Sequence, residues 1–203
     1  MLKGIYAITD EVLTPSKTIL KQVEDALKGG AKIIQLRNKS ASDNDLIDIA
    51  TQLQKLCASY NATFFINDRV ELAQKIGADG VHIGFSDLGV KATRKLIGPN
   101  VLIGVSCYGD LERAKQAVKD GADYVAFGAF YPSKTKPKAA VVPLEVIKIA
   151  KKELNVPVCV IGGINESNIQ EVAQHKPDMY SLVSDIFEAE NIEEKVNRLT
   201  QKI

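Results

Sequence analysis

The chain has 203 residues, 45% apolar and 25% charged, with a formal net charge of +1. That length carries one sizeable core and is short for two domains. So even a charge balance excludes a bulk electrostatic pull toward nucleic acid or membrane.

Cys57, Cys107 and Cys159 are scattered without CxxC spacing, so neither a disulfide framework nor a zinc site is indicated. No apolar run approaches the ~20 residues of a membrane span. Met1-Leu2-Lys3 runs straight into a strand-like segment, without the pattern of a signal peptide. These features predict a reduced, cytoplasmic setting.

Taken in order, Gly4 to Thr9 is a short apolar run and a first strand, closed by Asp10. Ile19, Leu20, Val23, Ala26 and Leu27 repeat at helical spacing over Thr18 to Leu27, stopped by Gly29-Gly30. Ile33 to Arg37 is the second strand. Ser42 or Asp43 can cap the next helix, whose apolar positions are Leu46, Ile49, Ala50, Leu53 and Leu56. Thr63 to Ile66 is the third strand, followed by Asn67-Asp68-Arg69 and a short helix through Ala73. Gly80 to Ile83 is the fourth, ending near Gly84 and Asp87. Val101 to Val105 is the fifth, ending at Ser106, with a helix over Leu111 to Val118.

Tyr124 to Gly128 is the sixth strand, leading into the polar loop Pro132-Ser133-Lys134-Thr135-Lys136. Hydroxyls, backbone N–H groups and a Lys just past a strand end can hold phosphate oxygens. Such a loop also fits a plain solvated turn. Pro143 to Leu154 is a helix with Pro at its first position. Val156 to Ile161 is the seventh strand, ending in Gly162-Gly163, and Asn165 to Ala173 a helix. Met179 to Val183 is the eighth, ending at Ser184, and Ile192 to Leu199 closes the chain.

A weak repeat supports the count. Gly30-Ala31-Lys32, Gly77-Ala78-Asp79 and Gly121-Ala122-Asp123 each end a helix and precede a strand. Eight strands alternating with helices predict a single (β/α)8 TIM barrel domain spanning residues 1–203, class α/β. An open doubly wound sheet is the alternative, disfavoured by the even run of short units.

In such a barrel the active site lies where the strands end, and the polar residues collect there. Gln35, Arg37 and Lys39 follow strand two, Asn67 and Asp68 strand three. His82 and Asp87 lie around strand four, Ser106 at five, and Ser133, Thr135 and Lys136 after six. Arg37, Lys39 and Lys136 with Asp68 and Asp87 at one mouth suit a diphosphate with Mg²⁺. Gly162-Gly163 and Ser184 suit a second, monophosphate site. Each residue also has a plainer reading. Arg37 and Lys39 can be a solvated strand end, Asn67-Asp68 a helix cap, His82 a satisfied core histidine and Asp87 a turn residue. Cys107 and Cys159 read as small core residues. Their coincidence at successive strand ends favours the functional reading.

These motifs resemble the thiamine-phosphate synthase family nearly end to end. The matching segments are Gln35-x-Arg37-x-Lys39, Asn67-Asp68, Gly80-Val81-His82-Ile83-Gly84 with Asp87, Gly104-Val105-Ser106, Ser133-x-Thr135-Lys136, Ile161-Gly162-Gly163-Ile164 and Val183-Ser184. The resemblance implies a (β/α)8 barrel transferase of thiamine biosynthesis that joins hydroxymethylpyrimidine diphosphate to hydroxyethylthiazole phosphate and releases diphosphate. It implies Mg²⁺ on Asp68 and Asp87. It implies that Gln35, Leu36, Arg37, Asn38, Lys39, Asn67, Ser106 and Lys136 bind the pyrimidine diphosphate, with Arg37, Lys39, Ser106 and Lys136 catalytic. Ser133, Lys134, Thr135, Gly163, Val183 and Ser184 are implied to bind the thiazole phosphate. The chain departs from the family at Phe85-Ser86, where a Gln is usual, and over Ala139 to Pro143. The partners implied are small phosphorylated molecules, with no nucleic acid and no membrane; a homo-oligomer is compatible with the sequence. Competing readings are a thiazole tautomerase on the same barrel, a non-catalytic sensor of a thiamine precursor and, more distantly, a barrel enzyme acting on a sugar phosphate.

Overall fold

The computed structural model describes residues 2–84, 87–132 and 140–203. Its strands are β1 (Gly4–Ile8), β2 (Ile33–Leu36), β3 (Thr63–Asn67), β4 (Gly80–Ile83), β5 (Leu102–Tyr108), β6 (Tyr124–Phe127), β7 (Val158–Val160) and β8 (Met179–Leu182). They pair in parallel in chain order, and β1 also pairs with β8, which closes the barrel. Between and after them lie α1 (Ile19–Lys28), α2 (Asp43–Ser59), α3 (Val70–Ile76), α4 (Val90–Ile97), α5 (Leu111–Lys119), α6 (Glu145–Glu153), α7 (Ile169–Ala173), α8 (Ser184–Phe187) and α9 (Ile192–Gln201). The predicted (β/α)8 barrel is the observed fold.

Parallel strands covered by helices are buried on both faces, so their sequences read as continuous apolar runs. Alternation along each strand then divides the apolar residues into two bodies. Ile5, Ile34, Phe64, Val81 and Val125 point outward and pack under the helices. Tyr6, Ile33, Phe65, Tyr124, Cys159 and Met179 fill the barrel interior. Gly104 explains how a ring as large as Tyr124 fits there. A Cβ at Gly104 would collide with the Tyr124 ring, so the bare backbone of β5 is what admits it.

The three Gly-Ala motifs close α1, α3 and α5 as expected. Gly30, Gly77 and Gly121 all have positive φ, at 108°, 65° and 102°. Ser42 rather than Asp43 caps α2, in a capping box with Asp45.

Several predicted boundaries are corrected. α4 is a helix that the sequence reading left unassigned. β5 runs on to Tyr108, so Ser106 lies within the strand and not after it. Pro143 precedes the helix start: Val146 N–H bonds Pro143 O in a tight turn, and α6 begins at Glu145. β7 starts at Val158 and not at Val156, because Pro157 has no N–H to pair. α7 starts at Ile169, since Asn165 and Asn168 bond to nearby backbone N–H groups instead of extending the helix. The helix-cap reading of Asn67-Asp68 also fails. Arg69 holds the cap position of α3, and Asp68 is in the left-handed region at φ 61°.

Candidate active site

The C-terminal ends of the strands surround a cavity of about 570 Å³. Ten of the residues to which the family resemblance gives a role line it: Gln35, Arg37 and Lys39 from β2 and its loop; Asn67 and Asp68 from β3; Asp87 after β4; Ser106 from β5; Gly163 after β7; and Val183 and Ser184 after β8. Ser133, Lys134, Thr135 and Lys136 lie outside the described residues.

Two further residues given a substrate role by the resemblance do not line this cavity. Leu36 is 4% exposed and belongs to the outer core, because alternation turns it away from the interior that Gln35 faces. Asn38 is not part of the cavity lining. Its Oδ1 accepts from Ser40 N–H (3.1 Å) and Ala41 N–H (2.8 Å), and its carbonyl accepts from Arg69, so it shapes the β2–α2 loop.

That loop is built to carry charge. Glu11 Oε2 accepts from Lys39 N–H (3.0 Å), Ser40 N–H (3.1 Å) and Ser40 Oγ (2.9 Å). These bonds, led by the one from Ser40 Oγ, hold the Glu11 carboxyl below its ordinary range. Arg37 backbone N–H donates to Thr9 Oγ1 at 3.0 Å, and its guanidinium lies 3.8 Å from Asp10. Lys39 Nζ reaches across to Asp68 at 3.1 Å.

Asp87 completes the acidic side. It accepts from Gly84 N–H at 2.6 Å, and its carboxyl is raised from the usual range, first by burial and then by Asp68 beside it. Two adjacent carboxylates, one of them raised, facing two cations across one cavity, are arranged for a hard cation together with an anionic ligand. The donors are oxygens only, and two of them match the sparse protein ligation that Mg²⁺ accepts when phosphates and waters supply the rest.

On the opposite wall Gly162 and Gly163 have positive φ, at 96° and 70°. A Cβ on Gly163 would come within 2.7 Å of the Tyr131 and Pro132 carbonyl oxygens, so this backbone passes close to the β6 loop. Ser184 opens α8 at the same rim. At the floor, Cys159 Sγ lies 3.0 Å from Ser181 Oγ, and burial pushes the Cys159 thiol up to about 12, which keeps it protonated.

His82 proves more than a core residue. Its Nδ1 is 2.7 Å from Tyr124 Oη and its Nε2 is 2.9 Å from Ser106 Oγ, and it lines the cavity. Tyr6, Ser181 and Tyr108 also line it and were not singled out from sequence. Period-two alternation with Ile8 could have placed Tyr6 inside the barrel. Tyr108 sits beyond a register shift in β5, which no local pattern signals.

Comparison with known proteins gives the family of the chain. Residues 5–186 match the family described as thiamine monophosphate synthase. Thiamine-phosphate synthase of Acidithiobacillus ferrooxidans is 40% identical over 203 residues, covering 98% of this chain and 94% of that protein. That of Alcanivorax borkumensis is 46% identical over 171 residues, covering 84% and 79%. The solved thiamine phosphate pyrophosphorylase of Pyrococcus furiosus superposes with a TM-score of 0.90 at 36% identity, covering 99% of this chain and 95% of that one. The family match over most of the sequence, with relatives this close in sequence and length, shows that the chain belongs to the thiamine-phosphate synthase family.

Proposed function

We propose that this chain, as one barrel domain over residues 1–203, joins hydroxymethylpyrimidine diphosphate to hydroxyethylthiazole phosphate (or its carboxylated form) and releases diphosphate. The observation that carries the reading is the pairing of two adjacent carboxylates, Asp68 and Asp87, with Arg37 and Lys39 around one cavity.

Gln35 and Asn67, held on adjacent barrel strands, receive the pyrimidine diphosphate. Arg37, Lys39 and the Ser106 hydroxyl bind its diphosphate oxygens, and the family resemblance adds Lys136 to that group. Asp68 and Asp87 would hold Mg²⁺, which neutralises diphosphate charge when bound. The carbon–oxygen bond to diphosphate breaks first, leaving a pyrimidine methyl cation. Fixed cations favour this step because negative charge gathers on the departing group. The thiazole nitrogen then attacks the cation with its free lone pair, so no general base is required. Gly163, Val183 and Ser184 hold the thiazole phosphate, joined by Ser133, Lys134 and Thr135. Cys57, Cys107 and Cys159 are buried and unpaired, which supports a reducing, cytoplasmic setting.

The test is an end-point assay. Purified protein is mixed with both substrates and Mg²⁺, with or without EDTA, and read for thiamine phosphate. Product that disappears with EDTA and returns with added Mg²⁺ is expected. Folded protein that yields none would overturn the reading.

A further inference from the structure

A line of hydrogen bonds crosses the barrel interior beneath the cavity and joins two residues assigned to the pyrimidine diphosphate. Gln35 Nε2 donates to Tyr6 Oη at 2.6 Å. The Tyr6 and Tyr124 hydroxyls are 3.1 Å apart. Tyr124 Oη is 2.7 Å from His82 Nδ1, and His82 Nε2 is 2.9 Å from Ser106 Oγ. Gln35, Tyr6 and Tyr124 are no more than 2% exposed, so water does not compete for these bonds.

Proton counting gives the line a direction. A hydroxyl has one proton and a neutral imidazole one N–H. Because Tyr6 accepts from Gln35, its own proton goes to Tyr124. The Tyr124 proton then goes to His82 Nδ1, which leaves the imidazole proton on Nε2, pointing at Ser106 Oγ. Ser106, having accepted, turns its own proton into the cavity.

We propose that Tyr6, Tyr124 and His82 are positioning residues that fix the polarity of both ends of this line: Gln35 presents its carbonyl oxygen to the cavity and Ser106 its hydroxyl proton. The inference rests on the synthase reading of the cavity and deepens it. An acceptor at Gln35 fits the amino group of an aminopyrimidine, and a donor at Ser106 fits a diphosphate, whose oxygens only accept. Reversed, the line would offer an amide N–H to the amino group and a lone pair to the diphosphate, and both ends would repel the substrate. A pyrimidine with an oxo group in place of the amino group meets acceptor against acceptor at Gln35.

The first test needs no turnover. Long-range ¹H–¹⁵N spectra of the unliganded, ¹⁵N-labelled full chain report which ring nitrogen of His82 carries the proton. The chain has two histidines, and a His175→Gln variant assigns the signals. A proton on Nε2 with a bare Nδ1 at neutral pH is expected. A proton on Nδ1, or on both nitrogens, overturns the proposal. This result stands apart from the assay above: a wild-type protein without synthase activity would remove the substrate assignment and leave the tautomer measured.

The second test is kinetic. Tyr124→Phe keeps the ring, which packs edge-on to Phe65 (5.4 Å between centroids) and stacks on His82 (5.6 Å), and removes one link. It should lower kcat/KM for the pyrimidine diphosphate about tenfold, leave KM for the thiazole phosphate unchanged, and give His82 a mixture of tautomers. The Tyr124→Phe/Ser106→Ala double variant should lose less than the two single losses combined, since Tyr124 acts in part through Ser106. Additive losses would overturn the positioning role. If Tyr124→Phe fails to fold, Tyr6→Phe gives the same readings from the other end, with weaker discrimination between amino and oxo pyrimidines. Unchanged discrimination in that variant would count against the proposal.

Discussion

The two ends of the barrel use the same residue in opposite ways. At the N-terminal ends, Asp79, Asp123 and Asp178 each precede a strand, and each accepts a hydrogen bond from an N–H at the start of the neighbouring strand: Phe64 (2.8 Å), Ile103 (2.7 Å) and Val158 (2.7 Å). Asp123 also pairs with Arg94 at 2.6 Å and Asp178 with Lys151 at 2.7 Å. These carboxylates complete a parallel ladder where its last N–H groups lack a backbone partner. At the mouth, Asp68 and Asp87 face one another, and burial raises the Asp87 carboxyl. The lower carboxylates are satisfied by the fold's own backbone, whereas at the mouth Asp87 is raised by burial and by Asp68 beside it, a state that a bound cation would relieve. One end stabilises the barrel and the other is poised for a ligand.

The sharpest way to break this contrast is to remove one carboxylate from each end. Asp68→Ala should cut kcat at least about a hundredfold while leaving Tm nearly unchanged. Near-normal kcat would remove Asp68 from the metal site, and a large fall in Tm would make it a structural residue like those below. Asp123→Ala should do the reverse. It leaves Ile103 N–H and the Arg94 guanidinium without their carboxylate, at a cost of about 2–3 kcal/mol. For a chain of this size that is a Tm loss of roughly 5–10 °C, and the protein that remains folded should turn over normally.

A smaller effect sharpens the mouth itself. Ser184→Ala should raise KM for the thiazole phosphate several-fold with little change in kcat. A rise confined to the pyrimidine diphosphate would show that the two subsites are exchanged. The smallest effect belongs to Glu166, whose carboxyl is held down to about 2 by Lys195 first and by Arg198 second. A depressed carboxyl contributes stability above its ordinary value of 4.5, and that contribution is lost as pH falls from there toward about 2. The Tm gap between wild type and Glu166→Gln should therefore be a degree or two at neutral pH and narrow through about pH 4 to 3. Solvent screening keeps it small. A gap that widens in acid would contradict the assigned pairing.

Much of this was legible in the sequence, for reasons that differ by residue. The strands announced themselves as apolar runs because both faces are buried, and the Gly-Ala motifs marked where helices hand over to strands. Polar residues at strand ends pointed to the mouth because that is where the fold lets them meet. α4 was not legible: fully buried Thr93 interrupts the apolar stripe between Val90 and Ile97 that would have signalled a helix. Leu36 and Asn38 were assigned with their neighbours, although alternation sends Leu36 outward and Asn38 turns back on its own loop. His82 was ambiguous because its partners come from other strands. Tyr6 and Tyr124 stand 118 residues apart, and no local spacing connects them.

The empty side chain of Gly104 has a consequence for redesign. The collision that any Cβ would make there ties Gly104 to Tyr124 as a single unit of choice. An engineer who wants a roomier or differently shaped pyrimidine pocket cannot vary the two positions independently. Gly104→Ala alone would push the ring out of register without altering any group that touches a substrate, and the loss would look like a defect of the mouth. A smaller residue at 124 leaves a hole that only a larger residue at 104 can fill. Libraries that pair the two positions are therefore the ones that will return folded barrels with altered chemistry.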